Sequence, residues 1–192
     1  NNYRLSRNRL DQNSGSGIRQ YEAKQGVIHD NAILNHYGMH ASSLNFYEGC
    51  ADIVFERNTL HNALAINRNA ENLLIRNNVI DSQGRAAACV GLWSTGSVGG
   101  TALKNIHILN NTFVNTVASF ERDTRSAVGD HFGWHPATGP DVHERDGHVF
   151  WGNLLVADAA FAKPLFRADQ APALKDKLTK PQFAAADHNL YV

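Results

Sequence analysis

Cysteine is scarce in this chain of 192 residues, with only two copies, Cys50 and Cys89. They form no close motif, and two thiols are too few for the disulfide framework of small secreted domains. An excess of either charge is also missing, since Lys and Arg together number 18 and Asp and Glu together number 18. Without a basic field to hold a phosphate backbone, nucleic acid is not an expected partner. No apolar run approaches the roughly 18 residues of a membrane span, and the opening residues carry no signal-peptide pattern. The ten histidines are scattered, without His-Glu-x-x-His spacing or a Cys/His array, so they specify no metal. A nucleophile elbow of the form Gly-x-Ser-x-Gly is absent too, which removes that route to Ser-His-Asp catalysis.

What the chain does contain is a repeat. An apolar residue, two variable residues, Asn, one variable residue and a second apolar residue recur as Leu5/Asn8/Leu10, Ile28/Asn31/Ile33, Phe55/Asn58/Leu60, Ile75/Asn78/Ile80, Ile108/Asn111/Phe113 and Phe150/Asn153/Leu155. A weaker copy, Ala186/Asn189/Tyr191, follows. Before each Asn the apolar residues alternate, as in Ile53/Phe55, Leu73/Ile75 and Ile106/Ile108, the period of two that marks a strand. The Asn then marks a bend, because Asn tolerates left-handed backbone angles and its amide bonds to nearby backbone. Stacked, these residues are expected to form a ladder. The tightest copy, Asn58 to Asn78, needs about twenty residues for a full circuit, one rung of a coil, and longer spacings become rungs with inserted loops.

A second strand in each rung emerges from aligning Leu44-Asn45-Phe46-Tyr47-Glu48 with Leu64-Ala65-Ile66-Asn67-Arg68 and with Ile18-Arg19-Gln20-Tyr21-Glu22. Val90-Gly91-Leu92-Trp93 and Ala118-Ser119-Phe120-Glu121 continue the series. The expected fold is all-β, a right-handed parallel β-helix of about six to seven rungs. The Asn-punctuated phrases at 72–80 and 105–115 resemble those of the right-handed parallel β-helix superfamily, the pectate lyase-like fold, over roughly residues 1 to 155. The resemblance is one of fold, since no catalytic motif of pectate lyases, polygalacturonases or alginate epimerases is matched, and fold alone does not set function.

At this length a single domain over 1–192 is expected. Tyr3-Arg4-Leu5 already belongs to a rung with nothing before it to cap the layer, so the chain reads as a segment of a longer protein. Residues 156–186 break the pattern and are expected to be irregular, with a short helical turn around Ala173–Leu178 packing over the end of the coil.

Alternation places Asn45, Tyr47, Ala65 and Asn67 outward if Leu44, Phe46, Leu64 and Ile66 are buried. One outward row then reads Tyr21, Tyr47, Asn67, Trp93 and Glu121, beside a second of Arg19, Asn45, Ala65, Gly91 and Ser119. Tyr and Trp faces stack on pyranose rings, so Arg19, Tyr21, Asn45, Asn67, Trp93 and Glu121 are the candidate substrate-binding residues. Simple aromatic stacking along the solenoid is the competing account. The loop 36–43 places His36 and His40 beside Tyr47 and Glu48, and these four are the candidate catalytic residues. A His or Tyr can remove the proton alpha to a uronate carboxylate if Arg19 or a cation neutralises that carboxylate. Glu22 and Glu48, at matching places in adjacent rungs, can act as an acid and a nucleophile, hold a cation such as calcium, or splay into water. The long insertion at 122–147, with its His and Trp residues, reads as a wall of a binding groove or as a lid. The functional expectation is a secreted or extracellular polysaccharide-active protein, a lyase on a uronate-containing glycan. Its alternatives are a glycoside hydrolase and a non-catalytic glycan-binding or adhesion module.

Overall fold

The structure, a computed structural model, describes residues 2–38, 41–47, 49–67, 70–83, 87–90, 103–122, 145–176 and 178–192, with backbone alone at 87–90 and 173. It is nearly all-β, and its strands run parallel in three stacked sheets, an arrangement compatible with a solenoid. The chain visits the sheets in a fixed order. Sheet one contains Tyr3–Ser6, Gly26–His29, Ala51–Glu56, Ala70–Arg76, Leu103–Leu109, His148–Trp151 and Phe183–Asp187, with Arg145–Asp146 pairing beside it. Sheet two contains Arg9–Asp11, Ala32–Leu34, Thr59–Leu60, Val79–Asp81, Thr112–Val114, Leu154–Val156 and Leu190–Tyr191. Sheet three contains Ile18–Gln20, Leu44–Phe46, Leu64–Ile66, Ala87–Val90, Val117–Arg122 and Phe166–Gln170.

Register follows the repeat. Ile28, Phe55, Ile75, Ile108 and Phe150 pair in sequence across sheet one and are buried. Ile33, Leu60, Ile80, Phe113 and Leu155 do the same in sheet two. These columns meet inside the coil, so each coil buries its apolar residues against its own other sides and against the coils above and below. Removal of each such side chain from water contributes about 1.5–3 kcal/mol.

The passage from sheet one to sheet two always takes two residues. The first has a left-handed backbone, with φ of 58° at Arg7, 56° at Asp30, 53° at Arg57, 56° at Asn77, 54° at Asn110, 67° at Gly152 and 57° at His188. The second is the ladder Asn. This corrects the expectation that the Asn itself takes the left-handed angle: its neighbour does, and the Asn supplies hydrogen bonds. Asn58 donates its backbone N–H to Asn78 Oδ1 at 2.9 Å and its Nδ2 to the same oxygen at 3.2 Å. Nδ2 also donates to the carbonyls of Glu56 and Ile28, both at 3.0 Å. The pattern runs through Asn8, Asn31, Asn58, Asn78, Asn111, Asn153 and Asn189. Left-handed non-glycine residues cost about 1–2 kcal/mol each, and the doubly bonded amide oxygen of the next coil offsets that cost.

The segment 156–186 is more regular than its sequence suggests. Phe166–Gln170 pairs with Val117–Arg122, and Phe183–Asp187 pairs with His148–Trp151. Pro172–Leu174 forms a 3-10 turn, and Leu178 N–H donates to the Leu174 carbonyl at 2.9 Å, burying Leu174 and Leu178. The short helical turn is there, but strands flank it. Their residues are mostly alanine or polar and mostly exposed, which is why the apolar alternation failed to reveal them.

Candidate functional site

Sheet three carries the predicted binding residues in parallel register. Arg19 pairs with Asn45 and Asn45 with Ala65, while Ser119 pairs with Arg167 and Glu121 with Asp169. In the fourth coil the register differs from expectation. Ala88, not Val90, lies opposite Leu64, and Val90 lies opposite Ile66. Trp93, His40 and Glu48 lie outside the described residues.

Tyr21 and Tyr47 stack face to face, with ring centroids 4.4 Å apart and planes 2° apart. That separation matches the strand spacing of about 4.8 Å, so the rings lie along the coil axis. Each gives one face to the other. Tyr21 remains 54% exposed, while Arg19 is exposed on the same strand.

Asn45 and Asn67 are buried, against the expectation that they face outward into water. Alternation predicts which side of a strand a residue takes, but not what covers that side. Asn45 Nδ2 donates to Ser16 Oγ at 2.7 Å. Asn67 is 2% exposed, and neither its Oδ1 nor its Nδ2 has a hydrogen-bond partner. Further along the row Ser119 Oγ donates to Glu121 Oε1 at 3.1 Å, and Arg167 bonds to both and pairs with Asp169 at 2.9 Å.

His36 stands apart from Tyr47. Its ring packs on Gly17, where an added Cβ would sit 2.8 Å from the Ser43 carbonyl and closer still to His36 Nε2. Ser43 precedes the strand Leu44–Phe46 and Tyr47 follows it. Two strand ends separated by that length lie about 10–13 Å apart. The structure therefore does not bring His36 and Tyr47 together. His36 is 5% exposed and neither ring nitrogen makes a hydrogen bond of normal geometry. Burial pushes its pKa down, against smaller opposing pulls from the Asn13 backbone and the Asp11 carboxylate.

A polar network that sequence reasoning missed runs along the corner between sheets one and two. Arg4 Nε donates to His29 Nε2 at 2.6 Å, and His29 Nδ1 meets Asp30 Oδ2 at 2.5 Å. Arg57 bridges Asp30 at 2.9 Å and Glu56 at 2.5 Å, and Arg76 reaches Glu56 at 2.8 Å. Hydrogen bonds from Arg57 and then His29 hold the Asp30 carboxyl below the usual range. Burial pushes Glu56 up, but Arg76 and Arg57 together outweigh it and leave it lowered. The signal was present in the repeat: apart from Arg4, these residues occupy the two positions before the ladder Asn in successive coils. Four coils are tied together here.

Among the described residues no group of three or more His, Cys, Asp or Glu could hold a metal ion. Cys50 is buried, with its Sγ 3.3 Å from the Gln20 carbonyl oxygen. No helix among them is long and apolar enough to cross a membrane. Comparison of the chain with protein-family models, with curated proteins and with solved structures finds no match.

Proposed function

We propose that the chain is a right-handed parallel β-helix of the pectate lyase-like kind, secreted or extracellular, that binds polysaccharide on the outer side of sheet three. Parallel strands joined by crossovers are right-handed in about 98% of cases, which supports the hand. The observation that carries the binding site is Asn67, buried in the row of Tyr21, Tyr47 and Glu121 with both amide atoms unpaired. A buried, unpaired polar group costs about 1–3 kcal/mol, and sugar hydroxyls are both donors and acceptors, which an amide can satisfy at both ends. Arg19 beside this row favours a uronate-containing glycan, since guanidinium matches carboxylate.

The more specific reading is a lyase. Arg19, or a cation such as calcium on Glu22 and Glu48, neutralises the uronate carboxylate; a base removes the proton alpha to it; and the C–O bond beta to that carbon breaks, leaving an unsaturated sugar. Tyr47 is the base this row supplies. The separation of His36 from Tyr47 leaves the row fewer groups for acid–base chemistry, which favours as the second reading a glycan-binding module without catalysis.

Titration calorimetry against a panel of uronate polymers, run beside the ultraviolet absorbance of unsaturated products, tests these readings. Binding that falls at least tenfold in Asn67→Ala supports the site, and product absorbance lost in Tyr47→Phe supports the lyase. Binding without product leaves the module. A folded protein that binds no uronate polymer at millimolar sugar overturns the proposal.

A further inference from the structure

The end of the coil away from Asn8 buries three basic side chains, Arg122, Arg145 and His148. Arg122 closes the sheet-three strand Val117–Arg122 and is 3% exposed; His148 opens the sheet-one strand His148–Trp151 and is 0% exposed. Phe120 and Phe183 pack against the imidazole, with ring centroids 5.7 and 6.3 Å away.

The protonation state of His148 follows from one contact. Its Nδ1 lies 3.3 Å from the Ile106 backbone N–H and accepts from it. A ring nitrogen that accepts carries no proton, so the neutral imidazole holds its proton on Nε2. Burial, and after it the charge of Arg122, push the pKa of this histidine down to about 3. The Nε2–H is thus a buried donor, and it has no acceptor.

Among the described residues Arg122 has no carboxylate in hydrogen-bond contact. Its Nε and Nη2 donate to the Arg145 carbonyl, and its Nη1 donates to Gln170 Oε1 at 3.0 Å and to the Lys180 carbonyl at 2.9 Å. A guanidinium has five N–H groups; four are used, and one on Nη2 is left. None of these acceptors is a carboxylate. Asp146 is the carboxylate that acts on Arg122, and only at a distance, its own side chain being 3.8 Å from Lys180. Arginine does not shed its proton to escape burial, so the charge stays, and a buried charge without a partner is strongly unfavourable.

We propose that Arg122 and His148 hold a small monovalent anion, chloride in size and charge, inside this end of the coil. An unpaired N–H from each side chain and a guanidinium without a carboxylate are what such an ion takes. Two donors and an aromatic lining suit a singly charged, weakly hydrated ion and are too few for phosphate or sulfate, which need more hydrogen bonds to leave water. The ion joins sheet three to sheet one where the loop between 122 and 145 separates them in sequence.

The test is thermal unfolding at pH 7 and fixed ionic strength, with chloride or bromide replacing gluconate stepwise from a halide-free start. Binding to the folded state alone raises the midpoint as halide exceeds its dissociation constant, by about 5 °C at a hundredfold excess. His148→Phe, which keeps an aromatic ring among Phe120 and Phe183, should fold and lose most of that response. Arg122→Met should lose all of it, and if that variant does not fold, His148→Phe decides alone. A midpoint that does not change with halide, or an undiminished halide response in His148→Phe, overturns the proposal.

Discussion

The corner between sheets one and two is built the same way seven times, whereas the routes into and out of sheet three differ from coil to coil. At the first corner a left-handed residue and a ladder Asn complete the turn, and every buried amide oxygen from Asn31 to Asn189 receives two bonds from the coil before it. Between sheets two and three the link shrinks to Asn115 and Thr116 in one coil and lengthens to 35–43 in another; from sheet three to sheet one it ranges from 67–69 to 123–144. Two of the buried side chains with unpaired polar atoms follow the same division. Asn67 and His36 sit at the variable corners, while no ladder Asn is without partners. A regular corner fixes coil pitch and register, and the irregular corners are then free to carry insertions and polar groups that the scaffold itself does not satisfy.

Asn78→Leu should break this comparison most severely. It removes the oxygen that accepts from Asn58 and the amide that donates to the Phe55 carbonyl and to Asn111, all of them buried. Several orphaned groups at about 1–3 kcal/mol each give a loss of about 3–5 kcal/mol, readable as a drop in urea midpoint. A loss of only a few tenths would mean that the Asn column merely tolerates the turn.

The variable corner has its own steric lock in Gly17. An added methyl would sit 2.5 Å from an Ile33 methyl and 2.8 Å from the Ser43 carbonyl, besides meeting His36. Gly17→Ala should cost about 2–3 kcal/mol. Adding His36→Ala should recover part of that, since Ile33 and Ser43 remain in the way; a double-mutant cycle gives the share belonging to His36. Full additivity would show that the ring does not press on Gly17.

Acid separates the two regions by a smaller amount per pH unit. His148 titrates near 6.5 in an unfolded chain and at about 3 in the folded one. Its folded value is depressed, so the unfolded chain takes up a proton that the folded chain refuses. Stability is full above pH 6.5 and falls as pH drops toward 3, by up to about 1.4 kcal/mol per pH unit. His36, also lowered by burial, acts in the same direction. Urea midpoints between pH 7 and 5 stay above the carboxylate range. His148→Phe should flatten the profile there, and an unchanged slope would assign the acid sensitivity elsewhere.

The same division explains what could be read from the sequence. The coil was legible because the two-residue corner repeats without insertion, so apolar alternation and Asn recur in phase. Register failed in the fourth coil because Ala88 lies opposite Leu64; matching the larger Val90 to Leu64 slipped the alignment there by two residues. His36 and Tyr47 looked close in sequence, but a strand of sheet three lies between them. The left-handed column was hidden because Arg, Asp, Asn, Gly and His all occupy it. The charged network beside it was visible at positions just before the Asn, yet only the fold brings those positions into contact.

The smallest effect tests whether Asn67 serves the scaffold or a ligand. Ladder asparagines are satisfied, so replacing them costs stability; Asn67 is as buried as they are, but its amide bonds to nothing. Asn67→Leu keeps the side-chain volume close to that of the original and removes the desolvation of an unpaired amide, a burden of about 1–3 kcal/mol in full and smaller if the branched side chain fits imperfectly. A gain of about 1 kcal/mol in urea unfolding, together with loss of uronate-polymer binding, is the expected result. That combination marks a group kept for recognition at the expense of stability. A stability loss of the size seen for Asn78→Leu would instead make Asn67 part of the frame, and the binding row would then have to rest on Arg19, Tyr21 and Tyr47 alone.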